Sequence, residues 1–130
     1  MGSVASKSTE NKGVSREPAL KILFLEDEDF AKLAEQYLGD EGMATLQNEL
    51  SANPDAGDLV SGTGGARKIR VALQGRGKSG GARVIYYFRD SRNAIFFLSL
   101  YPKNKKSDLT PKEKEAIKEQ IRTIKEDVYP

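Results

Sequence analysis

From Leu20 to Leu25 (LKILFL) large apolar residues run almost unbroken, which predicts a strand buried on both faces. The period then changes. Phe30, Leu33, Tyr37 and Leu38 fall at i, i+3, i+7 and i+8, the apolar stripe of a helix. Glu26, Asp27, Glu28 and Asp29 stand at its start, where carboxylates meet the positive end of the helix dipole; this accounts for them better than a metal cluster does. Gly39 breaks the pattern, and Met43, Leu46 and Leu50 define a second helix ending before Asn53-Pro54. So short a link predicts an antiparallel helix pair. Gly57 to Gly65 reads as a loop.

Beyond Ala66 the period is two. In Lys68–Ala72, Ile69 and Val71 face one way and Lys68 and Arg70 the other. A glycine-rich basic connection, Gln74 to Gly81, leads into a strand over Ala82–Asp90, with Arg83, Ile85 and Tyr87 on one face and Val84, Tyr86 and Phe88 on the other. After a turn at Asp90–Asn93, Ala94–Tyr101 is almost wholly apolar, as a central strand would be. Short connections favour antiparallel pairing. Thr110, Pro111 and Glu113 spell a capping box with proline at the first helical position, and Ile117, Ile121, Ile124 and Val128 form a narrow stripe after it. The order β-α-α-β-β-β-α predicts an α+β domain. Its expected form is a twisted, mainly antiparallel four-stranded sheet, with helices on one face and Lys68, Arg70, Arg83 and Tyr87 on the open other face. Residues 1–18 are polar and aperiodic, which predicts a disordered tail before a single domain over 19–130.

Charge sharpens this picture. From Glu26 to Asp58 ten acids face one base, a net of −9; from Ala66 to Lys106 eleven bases face one acid, a net of +10. The basic half falls on the predicted strands and would attract phosphates over roughly 8 Å at physiological salt. No apolar run approaches the ~20 residues of a membrane span, and no secretory signal is evident, so a cytoplasmic location is expected. The sequence has no cysteine and no histidine. That removes thiolate zinc sites, histidine bases and serine–histidine triads. Ala72–Ser79 imitates a phosphate-binding P-loop, but a strand rather than a helix follows it, so the backbone amides that cradle phosphates would be missing. Chemistry in the basic half has arginine, lysine and tyrosine to work with. This set suits metal-independent RNA cleavage, in which guanidinium and ammonium groups stabilise charge on the phosphorane oxygens and a lysine or tyrosine moves protons. Lys68, set among arginines, is a candidate base.

Three stretches carry a family resemblance: Gly62–Ala72 (GTGGARKIRVA), Gly75–Tyr87 (GRGKSGGARVIYY) and Tyr101–Thr110 (YPKNKKSDLT). Together they resemble the HigB-type branch of the RelE/ParE toxins, a likeness running from Ala19 to about Lys125. The resemblance implies a toxin of a type II toxin–antitoxin pair that enters the ribosomal A site and cleaves mRNA there, without cofactor or metal. It implies a helix-turn-helix antitoxin of the HigA type as partner, with the ribosome and mRNA as targets. By position, Lys68 and Arg70 match the strand residues that contact the scissile phosphate, and Arg83 matches the arginine that stabilises the transition state. Lys103 and Asn104 match a further basic pair, with Asn104 departing from the usual arginine. RelE uses a C-terminal-helix tyrosine as base; here none follows Leu109 until Tyr129, leaving Lys68, Tyr87 and Tyr101 as candidates. Arg67, Arg76, Lys78 and Lys105 are expected to steer RNA backbone. The alternative is the ParE branch, which inhibits DNA gyrase without cutting RNA.

Overall fold

The computed structural model describes residues 21–75 and 81–130. The expected tail at 1–18 and two candidate RNA contacts, Arg76 and Lys78, lie outside the described residues. Strand β1 (Leu23–Glu26) leads into α1 (Glu28–Tyr37) and α2 (Gly39–Ala52). The acidic start of α1 is a helix cap: the Asp27 side chain accepts from the Phe30 amide at 2.8 Å. Gly39 takes φ +70°, which lets the chain leave α1 and re-enter a helix at once. The apolar stripes then land as expected, with Phe30, Ala34, Leu38, Leu46 and Leu50 all buried.

A two-residue strand β2 (Asp58–Leu59) follows, then β3 (Arg67–Val71), β4 (Ala82–Arg89), β5 (Ala94–Pro102) and α3 (Pro111–Thr123), which continues as a π-turn to Val128. The sheet order is β1-β5-β4-β3-β2, with β1 parallel to β5 and every other pairing antiparallel. Among the described residues the sheet therefore has five strands where four were expected. Strand β2 falls inside the predicted loop because two residues carry no period to read. Strand β1 also departs from expectation. It ends the described sheet, and Leu23 is 48% exposed, so it is not buried on both faces. Strand β5 is interior, between β1 and β4, as its apolar run predicts.

The larger correction concerns layers. Helices α1 and α2 cover one face, where Ile69, Val71, Val84, Tyr86, Ile95 and Phe97 pack against them. Helix α3 crosses the opposite face, the one expected to be open, and buries Ile85, Tyr87 and Tyr101 under Ile117, Ile121 and Ile124. The reason is apolar area. Burying Ile85 and Tyr87 is worth roughly 1.5–3 kcal/mol per large side chain, and among the described helices α3 is the one that packs there. Helix α3 covers this face from the Tyr87 end and leaves the Arg83 end to polar side chains. No helix among the described residues is long and apolar enough to cross a membrane.

Candidate active site

Strand register assembles the basic residues. Arg70 on β3 lies opposite Arg83 on β4, and Arg83 lies opposite Tyr101 on β5. Adjacent strands are ~4.8 Å apart, so these three side chains form one row across the sheet on the α3 face. Lys68, two residues before Arg70, points the same way one row along, opposite Ile85. A β-bulge between Ile85 and Tyr86, with Leu98 as the extra residue of β5, keeps Tyr101 in register with Arg83 while Tyr87 pairs with Phe96.

Two atoms of this row have unusual surroundings. Arg83 Nη1 and the Tyr101 hydroxyl are both buried and meet no hydrogen-bond partner among the described residues. A buried donor left unpaired costs roughly 1–3 kcal/mol, so a folded chain seldom tolerates two side by side without a use for them. The Tyr101 phenol is pushed up from its ordinary value, mainly by burial and then by the negative charge of Asp108, with Arg83 acting the other way. It stays protonated at neutral pH and is poorly suited to act as the base.

The loop from β5 to α3 closes over the row and brings residues that no local pattern pointed to. Lys106 Nζ sits 5.0 Å over the Tyr101 ring and pairs with Glu113. Asp108 Oδ1 accepts from Lys68 Nζ at 3.4 Å and from the Leu109 amide at 2.8 Å. Its carboxyl is held below the ordinary range, first by that amide and then, against the cost of desolvation, by Lys68. Glu113, held low by Lys106 and by the Thr110 amide, closes the capping box predicted from sequence. Lys68, set among arginines, also has a counter-charge, because Asp108 reaches it from forty residues away.

Other candidates are placed elsewhere. Tyr87 is four residues from Arg83 along β4, roughly 13 Å; it is buried under the end of α3, with Lys125 Nζ 5.8 Å over its ring. Arg67 alternates onto the α2 face. There it donates to the carbonyls of Gly57 (2.7 Å) and Asp55 (3.2 Å) and pairs with the Asp55 carboxylate, which makes it a brace for the preceding loop. Lys103, Asn104 and Lys105 are exposed on the β5–α3 loop, where Asn104 and Lys105 line a hollow with Gln36, Tyr37 and Gln74 rather than the row. Tyr86 is a core residue: its hydroxyl accepts from the Gly57 amide and donates to the Pro54 carbonyl. Tyr129 packs edge-on against Phe96 under Arg92, away from the row. Among the described residues no three acidic side chains converge as a metal cluster would.

The site thus offers two guanidiniums, two ammoniums and a protonated phenol around two unpartnered donors, an arrangement built for an anion of several oxygens. Among solved structures the chain is similar to the E. coli toxin RelE, seen as a double arginine-to-alanine mutant in the free state. The identity is 20%, covering 66% of this chain and 87% of that one, with a TM-score of 0.49. Residues 21–126 match the family described as the RelE toxin of the RelE / RelB toxin-antitoxin system. That match takes in every described element as far as the π-turn after α3, and the chain belongs to the RelE toxin family.

Proposed function

We propose that this toxin is a ribosome-dependent endoribonuclease that halts translation by cutting mRNA in the A site. The observation that carries the reading is the row Arg70–Arg83–Tyr101, with its buried unpartnered Arg83 Nη1 and Tyr101 hydroxyl. Both are donors waiting for an acceptor, and the non-bridging oxygens of a phosphodiester are acceptors of the right charge. In the reaction the ribose 2′-oxygen bonds to phosphorus while the bond from phosphorus to the 5′-oxygen breaks. The 2′ proton is lost and the 5′-oxygen takes one up, leaving a 2′,3′-cyclic phosphate and a 5′-hydroxyl. Arg83 and Arg70 stabilise the charge that builds on the phosphorane. Lys68, paired with Asp108, is an ammonium able to donate to the leaving 5′-oxygen. Lys106, over the Tyr101 ring, adds a further cation at the edge of the row.

Lys103 and Lys105, exposed on the loop that follows β5, supply backbone contacts that lengthen the RNA footprint. A helix-turn-helix antitoxin of the HigA type is the partner this reading carries, and the cytoplasm, where ribosomes translate, is its place of action. The test is an mRNA with a single 2′-deoxy nucleotide at the mapped cut, programmed into ribosomes with the purified toxin. Resistance at that position is expected. Cleavage there at the unmodified rate would exclude attack by the 2′-hydroxyl.

A further inference from the structure

The carboxylate of Asp108 is out of place in a site built for phosphate. It is 55% exposed and close enough to Tyr101 to raise its phenol, and it presents negative charge to any anion entering the row. What it touches gives the reason. One oxygen, Oδ1, accepts both from the Leu109 amide at 2.8 Å and from Lys68 Nζ at 3.4 Å. The first contact fixes the carboxylate to its own backbone. The segment after it is pinned as well: Leu109 is buried against Ile117 and Ile121, and Thr110 opens α3 with a complete capping box. Asp108 is therefore a rigid post, and Lys68 is the flexible group that reaches it. A lysine ammonium rides on four methylenes and samples many rotamers when free. Leaning on Asp108, it is held on the α3 face, one row from Arg83 and Arg70.

We infer that Asp108 is a positioning residue, which holds the Lys68 ammonium at the edge of the Arg70–Arg83–Tyr101 row so that it meets the phosphate without a search. The inference rests on the ribonuclease reading and deepens it. It has a distinctive kinetic signature, because the same carboxylate repels RNA while it orders Lys68. Asp108→Asn keeps an oxygen acceptor for the Leu109 amide and removes the charge that holds Lys68.

The experiment is ribosome-programmed mRNA cleavage at saturating toxin, run with wild type, Asp108→Asn, Asp108→Glu, Lys68→Ala and the Lys68→Ala/Asp108→Asn double variant. Asp108→Asn is expected to slow the cut roughly 10- to 100-fold, the scale of a misplaced reacting group. The toxin concentration at half-rate should stay unchanged or fall. Asp108→Glu should recover part of the rate, and Asp108→Asn should cost nothing further once Lys68 is gone. Wild-type cutting by Asp108→Asn, faster cutting, or an equal added loss in the Lys68→Ala background would each overturn the inference. A second readout needs no catalysis: with lysines carrying 13C-methyl labels, Asp108→Asn should shift the Lys68 resonance in the free toxin, and an unmoved signal would overturn it too. If wild type itself leaves ribosome-bound mRNA intact, the ribonuclease reading falls and takes this inference with it. The labelled-lysine result would still report whether the pair forms.

Discussion

A site that holds unpartnered donors should weaken the fold that carries it, and Arg83→Met measures by how much. The methionine keeps a long unbranched stem in the same slot and removes the guanidinium, whose Nη1 is buried without a partner among the described residues. It also removes one of two like charges that face each other across β3 and β4, since Arg70 is directly opposite. An unsatisfied buried donor costs roughly 1–3 kcal/mol. Like charges directly opposed on a sheet cost roughly a further few tenths of a kcal/mol up to about 1. Arg83 as a whole is only part-buried, so the lower end applies, and the net gain expected is ~1 kcal/mol. In a chain of 130 residues that is a rise in Tm of roughly 3–6 °C. The assay is thermal unfolding by circular dichroism, with and without inorganic phosphate. Phosphate should raise the wild-type Tm by filling the site, by up to ~2.7 kcal/mol at a hundred times its Kd, and leave the variant close to where it started. A variant that melts below wild type, or one that gains as much from phosphate, would refute the reasoning. Either result would mean that the guanidinium is already satisfied in the folded chain.

Four further outcomes follow from particular contacts. Tyr86→Phe removes the hydroxyl that joins the Pro54 carbonyl to the buried Gly57 amide, and should cost roughly 1–3 kcal/mol in a denaturant titration; a loss under about 0.3 would mean water replaces it. Gly57→Ala places a Cβ 2.9 Å from both the Lys68 carbonyl and the Tyr86 ring, so it should destabilise by roughly 1–3 kcal/mol and loosen β3 beside Lys68. Thr110→Ala opens the capping box of α3 and should cost ~1 kcal/mol; unchanged stability would show that Leu109 and the isoleucine stripe hold the helix start unaided. Asp108 and Glu113 both titrate below their ordinary values of 3.8 and 4.5, so unfolding takes up protons as the pH falls through that range. Their stability is present in full above those ordinary values and is lost as the pH falls through the lowered values of the folded state. The Asp108→Asn/Glu113→Gln double variant should show a shallower acid loss, and an unchanged slope would contradict the assignment.

Where the chain could be read without its structure, the cause was local. The stripe of α1, the glycine break at residue 39, the alternation of β4 and the Thr110 capping box are all set by residues within a turn or two of each other. Most of what was missed lies in very short elements or in distant contacts. Strand β2 has two residues and no period. The isoleucine stripe of α3 says that the helix has an apolar side, and nothing about which face of the sheet it meets. That choice decided the fate of Tyr87, which alternation rightly put on the Arg83 face and α3 then buried. For Arg67 the charge suggested RNA, while its odd-numbered place beside Ile69 assigned it to the α2 face, where it braces Gly57 and Asp55. Lys68, Arg70, Arg83 and Tyr101 were each legible as candidates. Their union in one patch depended on register, and the Leu98 bulge that sets it has no sequence signal here. Asp108 could not be found from pattern at all, since its meaning lies in a lysine forty residues away.

Ribosome-dependent cleavage is tested most directly by primer extension along a defined mRNA during in vitro translation, with the purified wild-type chain and with Arg83→Ala. Cuts within the A-site codon that require the ribosome should appear with wild type and vanish with Arg83→Ala. Intact mRNA with translation unharmed by the wild-type chain would contradict the ribonuclease reading, and inhibited DNA supercoiling by gyrase in the same preparation would redirect it to the other branch of the superfamily.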